Sequence, residues 1–189
     1  LEVLAAELSK AGPAARKLTF LGARQPGGAT MTALTLARLL SRHGKVVLVD
    51  LSPCSLALRA ISTDPSAPGL AELLRDQASF RQIINRDRFS QVHLVTTGAG
   101  GADRALLRTP RLNLAVDALL RVYDHVLLDA SAATDLSAEL LSTQAHAIVL
   151  PEPDMTAEQR AQRCAQLDAV GFAKVTMLSE RPHVAEQAL

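Results

Sequence analysis

Residues 18–40 read LTFLGARQPGGATMTALTLARLL, and this stretch decides the fold. A short apolar run passes through a turn rich in glycine and proline and then, without a gap, into a segment whose leucines and alanines recur at helical spacing. Strand, glycine loop, helix is the arrangement that turns backbone N–H groups and a helix N-terminus toward an anion, above all a phosphate. A loop of this type uses a lysine on the β- and γ-phosphates. Ala29 stands where that lysine is expected.

Working outward, apolar runs alternate with helical segments. Residues 17–21 form the first strand, and the helix after the glycine loop runs from 30 to 43 with Gly44 as its C-cap. Residues 46–50, VVLVD, are continuously apolar and end in an acid, as a strand buried on both faces requires. Upstream, residues 1–11 read as an amphipathic helix stopped by Gly12-Pro13. Downstream, 51–68 is a loop rich in serine and proline with room for one helical turn, and 69–76 and 79–85 read as two short helices. A third strand spans 92–96, before a flexible loop at 98–101. A helix at 110–122 carries proline in its first turn, and the fourth strand, 125–129, again ends in an acid. Residues 135–142 are helical and 147–150 form a fifth strand. Thr156 and Gln159 make a capping box for a helix to 170, stopped by Gly171, and 174–178 is the last strand. This alternation predicts an α/β fold: a mostly parallel sheet covered by helices on both faces, in one unit spanning 1–189.

Composition narrows the function. The chain has 189 residues, 48% of them hydrophobic and 21% charged, which is a globular composition. A net charge of +1 gives no electrostatic case for nucleic acid, and the densest basic group, Arg104, Arg108 and Arg111, reads as a solvated helix face. Two cysteines, Cys54 and Cys164, make no disulfide framework and point to a reducing compartment, with Cys164 at a core-like helix position. Five dispersed histidines show no ligand spacing, and His125 and His146 open strands and read as satisfied edge residues. There is no membrane-spanning run of about 18 apolar residues and no signal peptide. Leu1 in place of Met implies a piece of a longer protein.

In such sheets ligands bind beyond the carboxyl ends of the strands. Three features fall there: the loop at 22–30, Asp50 and Asp129. A Mg-nucleotide site needs such a set. The loop holds phosphate, a hydroxyl such as that of Thr30 touches Mg²⁺, and an aspartate orients metal-bound or attacking water.

The stretches TALTLARLLSRHGKVVLVD (32–50), PGLAELLRDQASFRQII (68–84) and YDHVLLDASAATD (123–135) resemble the ParA/MinD-type P-loop ATPases. Within that family they are most similar to the cytoplasmic tyrosine-kinase-type domain of bacterial exopolysaccharide co-polymerases. The resemblance covers about residues 17–178. It implies a phosphate loop at Gly27, Gly28 and Thr30, with Arg24 in the place of the family's extra lysine. It also implies the second Walker aspartate at Asp50, the Walker B aspartate at Asp129, and Mg²⁺ held by Thr30, Asp50 and Asp129 if nucleotide binds.

The departures from the pattern cluster in the same places. Pro26 stands at a loop glycine and has no N–H to offer a phosphate. Ser52 replaces the second acid of the family's D-x-D pattern, and an arginine expected shortly after is absent. The first helix lacks the family's ring-assembly pattern. The one tyrosine is Tyr123, so no tyrosine tail follows the last strand. The resemblance with these departures implies a pseudo-ATPase or pseudokinase with a regulatory or scaffolding role in exopolysaccharide synthesis and export. ATP or ADP with Mg²⁺ would bind weakly or not at all. Partners would be the export machinery and further copies of the chain, at the inner face of the bacterial inner membrane through a segment outside this chain. A weakly active ATPase or tyrosine kinase, with Arg24 supplying the missing charge, and a ParA-like localisation factor for pilus or secretion machinery are the alternatives.

Overall fold

The computed structural model describes residues 1–22, 28–52, 56–98, 101, 104–130, 137–152 and 154–178. Helix α1 (Glu2–Lys10) and a 3₁₀ turn (Gly12–Ala15) lead into β1 (Lys17–Leu21). Then come α2 (Gly28–Leu40), β2 (Val46–Asp50), α3 (Leu56–Ile61), α4 (Leu70–Leu74), α5 (Phe80–Ile83), β3 (Asn85–Arg86) and β4 (His93–Val95). The remainder is α6 (Arg104–Leu107), α7 (Pro110–Leu120), β5 (His125–Asp129), α8 (Ala138–Ser142), β6 (Ala145–Val149), α9 (Ala157–Val170) and β7 (Lys174–Met177). The strands form one sheet in the order β3-β4-β2-β5-β1-β6-β7. Every pairing is parallel except β3 with β4. The mostly parallel sheet predicted from the sequence is what the chain forms.

The unbroken apolar run of β2 is explained by what covers it. Val46 and Leu48 pack on one side with Leu18 and Phe20 of β1 and Leu34, Leu36 and Leu40 of α2. Val47 and Val49 pack on the other with Val116 and Leu119 of α7 and Leu70 and Leu74 of α4. Both faces are therefore core, as parallel strands between helices require. Each fully buried leucine contributes about 2 kcal/mol through apolar burial. A third, smaller cluster joins β6 to α9 through Val149, Leu167 and Phe172.

Several expectations shift. Strand β3 went unread because two residues carry no alternation, and the helical spacing of α5 ran over its first residue. Helix α2 starts at Gly28, not 30, so Ala29 is buried at 4% exposure. The capping box of α9 forms as expected: Thr156 Oγ1 accepts from the Gln159 N–H at 3.2 Å, and the Thr156 N–H donates to Gln159 Oε1 at 2.8 Å. Gly171 ends that helix at φ 106°. Cys164 is only half-buried, since α9 covers the rim of the sheet and buries Leu167 alone; Cys54 lies outside the described residues. His125 opens β5, as read, whereas His146 is the second residue of β6, and both strands are interior to the sheet, so neither histidine is an edge residue. His125 Nδ1 lies 2.8 Å from the Ala15 carbonyl oxygen, and His146 Nε2 lies 2.7 Å from Thr176 Oγ1. Among the described residues no helix is long and apolar enough to cross a membrane.

Candidate functional site at the carboxyl ends of the strands

Parallel pairing delivers β1, β2 and β5 to the same end of the sheet, and register completes the placement. Asp50 of β2 lies directly opposite Asp129 of β5, and Phe20 of β1 flanks Asp129 on the other side. Both carboxylates are buried, at 1% and 0% exposure. The strands stay knit just beyond them, with the Leu51 N–H on the Asp129 carbonyl and the Ala130 N–H on that of Phe20, each at 3.1 Å.

Thr30 sits in the first turn of α2, and its hydroxyl donates to Asp129 Oδ2 at 2.5 Å. An O–H donor to a carboxylate at this length is a strong, charge-assisted bond. Asp50 Oδ1 accepts the Ser52 N–H at 2.7 Å, an Asx-type bond at the point where the chain leaves the sheet. Ser52 thus meets Asp50 through its backbone. The set that results is a buried carboxylate pair, a hydroxyl and the N-terminus of a 13-residue helix. These are hard oxygen donors beside a positive helix end, chemistry suited to Mg²⁺ and an anion together.

Of the residues singled out by sequence, Thr30, Asp50 and Asp129 come together. Gly28 opens α2, is exposed and has open space where a side chain would begin. Arg24, Pro26 and Gly27 lie outside the described residues.

Two features of this end escaped the sequence reading. Thr97, just beyond β4, is fully buried, and its hydroxyl has no hydrogen-bond partner among the described residues. Gly98 was expected to begin a flexible loop, yet it is packed. It sits at φ 97°, and a Cβ there would stand 1.9 Å from Glu72 Oε2. The same Glu72 oxygen accepts the Gly69 N–H at 2.8 Å, while the Leu70 and Ala71 N–H groups donate to the Thr96 and Thr97 carbonyls. The start of α4 is thereby bound to the end of β4. The signal was present in the Gly69–Glu72 spacing of a helix cap, but nothing local links it to Gly98.

No protein-family model matches the chain, and no curated protein matches it in sequence. Solved structures do match. The VpsO kinase domain superposes with a TM-score of 0.70 at 18% identity, covering 95% of this chain and 96% of that one. The kinase domain of the Escherichia coli tyrosine kinase ETK gives 0.72 at 17% identity, covering 93% and 72%. MinD complexed with Mg-ADP from Pyrococcus horikoshii gives 0.68 at 21%, covering 90% and 72%. The chain therefore has the ParA/MinD-type P-loop fold. The structures it is similar to within that fold include tyrosine-kinase domains beside MinD, and at these identities the likeness speaks for fold.

Proposed function

We propose that the chain is a tyrosine-kinase-like domain of the ParA/MinD type whose nucleotide site is degenerate, and that it serves regulation or scaffolding in exopolysaccharide synthesis and export. The observation that carries this reading is Ala29. It is buried in the first turn of α2, where the P-loop lysine would stand, one residue before a threonine still bonded to Asp129. Thr30, Asp50 and Asp129 fit a magnesium ion by chemistry and would hold it, directly or through water. When bound, Mg²⁺ with nucleotide would supply electrostatic stabilisation of phosphoryl transfer. This chain's own part would be to hold Asp129 in place through Thr30 and to turn Asp50 through the Ser52 amide. A methyl group at position 29 cannot balance γ-phosphate charge. One charge-assisted contact contributes about 1.5–3 kcal/mol to binding, so its loss weakens nucleotide affinity about tenfold to a hundredfold.

Tyr123 supports the same reading. It is the chain's one tyrosine and is buried at 6% exposure, with its hydroxyl 2.6 Å from His93 Nδ1. Burial pushes that phenol above its ordinary value. It is poorly placed to accept a phosphoryl group.

A second reading, a weak ATPase or kinase, draws on the retained trio Thr30, Asp50 and Asp129. One titration separates the two. A fluorescent ATP analogue with Mg²⁺ is expected not to bind the wild-type chain at micromolar concentration, while Ala29→Lys gains about tenfold or more. Micromolar binding by wild type that Asp129→Ala abolishes would establish the second reading and sink the first. Failure of Ala29→Lys to gain affinity would unseat the alignment of the loop.

A further inference from the structure

Near the amino end of the sheet one row of residues crosses four strands. Val47 of β2 lies opposite Val126 of β5, Val126 opposite Lys17 of β1, and Lys17 opposite Ala145 of β6. The other three are apolar and fully buried, and Lys17 stands among them at 6% exposure. A lysine is almost never buried to this degree unless its charge is paired. Among the described residues no carboxylate comes within ion-pair distance of this one.

Part of the reason is structural. Helix α8 ends over β1, and its last carbonyls need donors. The Lys17 ammonium donates to the carbonyls of Leu140 and Thr143, and the Thr19 hydroxyl, two residues on, donates to that of Leu141 at 2.9 Å. Thr19 shows that a neutral donor suffices for this task. An ammonium brings a third N–H and a full charge. Burial pushes Lys17 below the ordinary lysine value, opposed in part by Asp117, so the charge is incompletely compensated.

That charge borders a cavity. Helix α7 and the five-residue α8 leave between them, over the start of β1, a cleft of about 520 Å³. Small-molecule sites occupy roughly 300–1,000 Å³. Val116 and Leu120 of α7 and Leu140 of α8 give the cleft an apolar flank, and Lys17 is its buried cation. At the rim stand Arg16 and Arg121, both exposed and with guanidinium groups unpartnered among the described residues, and two acids, Asp117 and Glu139. The rim charges cancel in number, so the excess is the single positive charge of Lys17. Polyanions gain little here because two carboxylates oppose them. A monoanion whose body carries hydroxyl or amino hydrogens fits better, since a carboxylate complements Lys17 while those hydrogens complement Asp117 and Glu139.

We propose that the cleft between α7 and α8 binds a small hydroxy or amino carboxylic acid, its carboxylate on Lys17. The site lies at the end of the sheet opposite Asp50 and Asp129 and is independent of whether nucleotide binds there.

The test is titration of the ¹⁵N-labelled 189-residue chain with glucuronate and with glutamate at constant ionic strength, read by amide chemical shifts, with glucose as the neutral counterpart. At least one of the two acids is expected to shift amides of α7, α8 and the start of β1 with a Kd of about 1 mM or below, and glucose is not. Lys17→Met should weaken binding about tenfold or more, through loss of a charge-assisted contact. Because Lys17 also holds α8, a second variant is needed. Asn113→Trp, an exposed change at the rim, fills the cleft and should abolish binding with the fold retained. No shift from either acid at about 10 mM, equal shifts from glucose, shifts confined to α2, or binding that survives Asn113→Trp would each overturn the proposal.

Discussion

The two ends of the sheet bury carboxylates in different ways. At the amino end, Asp87 is received by a guanidinium and a serine hydroxyl of the same chain. At the carboxyl end, Asp50 and Asp129 are as deeply buried and lie directly opposite each other, and among their contacts Asp50 accepts the Ser52 N–H and Asp129 the Thr30 hydroxyl. Burying an ionised carboxylate is costly unless charge and hydrogen bonds compensate it. The Arg38–Asp87 unit is closed: it fixes α2 to the β3–β4 hairpin. The carboxyl end sets two acids side by side at the foot of a helix, an arrangement whose oxygens suit an added cation. Structure is held at one end, and chemistry is proposed at the other.

Four measurements would break or sharpen that contrast, and the largest effect belongs to the closed unit. Asp87→Ala is expected to cost about 4 kcal/mol in urea denaturation, because it undoes a buried ion pair and releases the hairpin. A cost near zero would mean that the pair does not secure the fold. Its titration has a definite sign. Burial pushes the Asp87 carboxyl up, but the Arg38 and Ser90 hydrogen bonds and the Arg38 charge outweigh it and hold it below the usual carboxylate value. Its contribution is therefore complete above the unfolded value and is lost as pH falls through the folded one.

His146 comes next and acts in a separate window. Burial, assisted by Lys174 and opposed by Glu7, pushes it down to about 4. The folded protein keeps this ring neutral while the unfolded chain protonates near 6.5, so stability should fall between those values, by about 3 kcal/mol in total. Replacing His146 with Gln should flatten that limb of the stability-against-pH curve and leave the Asp87 limb intact. A limb that survives the replacement belongs to another group.

Gly98→Ala should cost about 2 kcal/mol in thermal or urea unfolding, since it forces a side chain into positive φ and displaces Glu72 from the start of α4. An unchanged midpoint would mean that the turn is not packed as described. Asp129→Asn should move stability least, within about 1 kcal/mol, because an amide oxygen still accepts from Thr30. It should nevertheless abolish any Mg-dependent nucleotide binding that Ala29→Lys restores. If Asp129→Asn cost as much as Asp87→Ala, the carboxyl end would be structural too and the contrast would collapse.

Much of the fold is local information. The unbroken apolar run at 46–50 and the capping box at Thr156 each encode backbone geometry within a few residues, and period and capping chemistry are readable at that range. Asp50 and Asp129 could be named as strand-end acids for the same reason. Their side-by-side placement could not. It follows from β5 entering the sheet between β2 and β1, a choice made by packing on both faces and not by any residue between them. The arginines show the same limit more sharply. Neighbours in the chain pointed to Arg104, Arg108 and Arg111 as the basic group, whereas it is Arg38, from a distant helix, that reaches the β3–β4 turn, pairs with Asp87 and lies 5.5 Å from the Phe89 ring centroid. Local order sets which elements form and what each carries. Only the tertiary fold sets which charges share a surface, because electrostatic interaction depends on distance in space and the chain brings residues together across any separation in sequence.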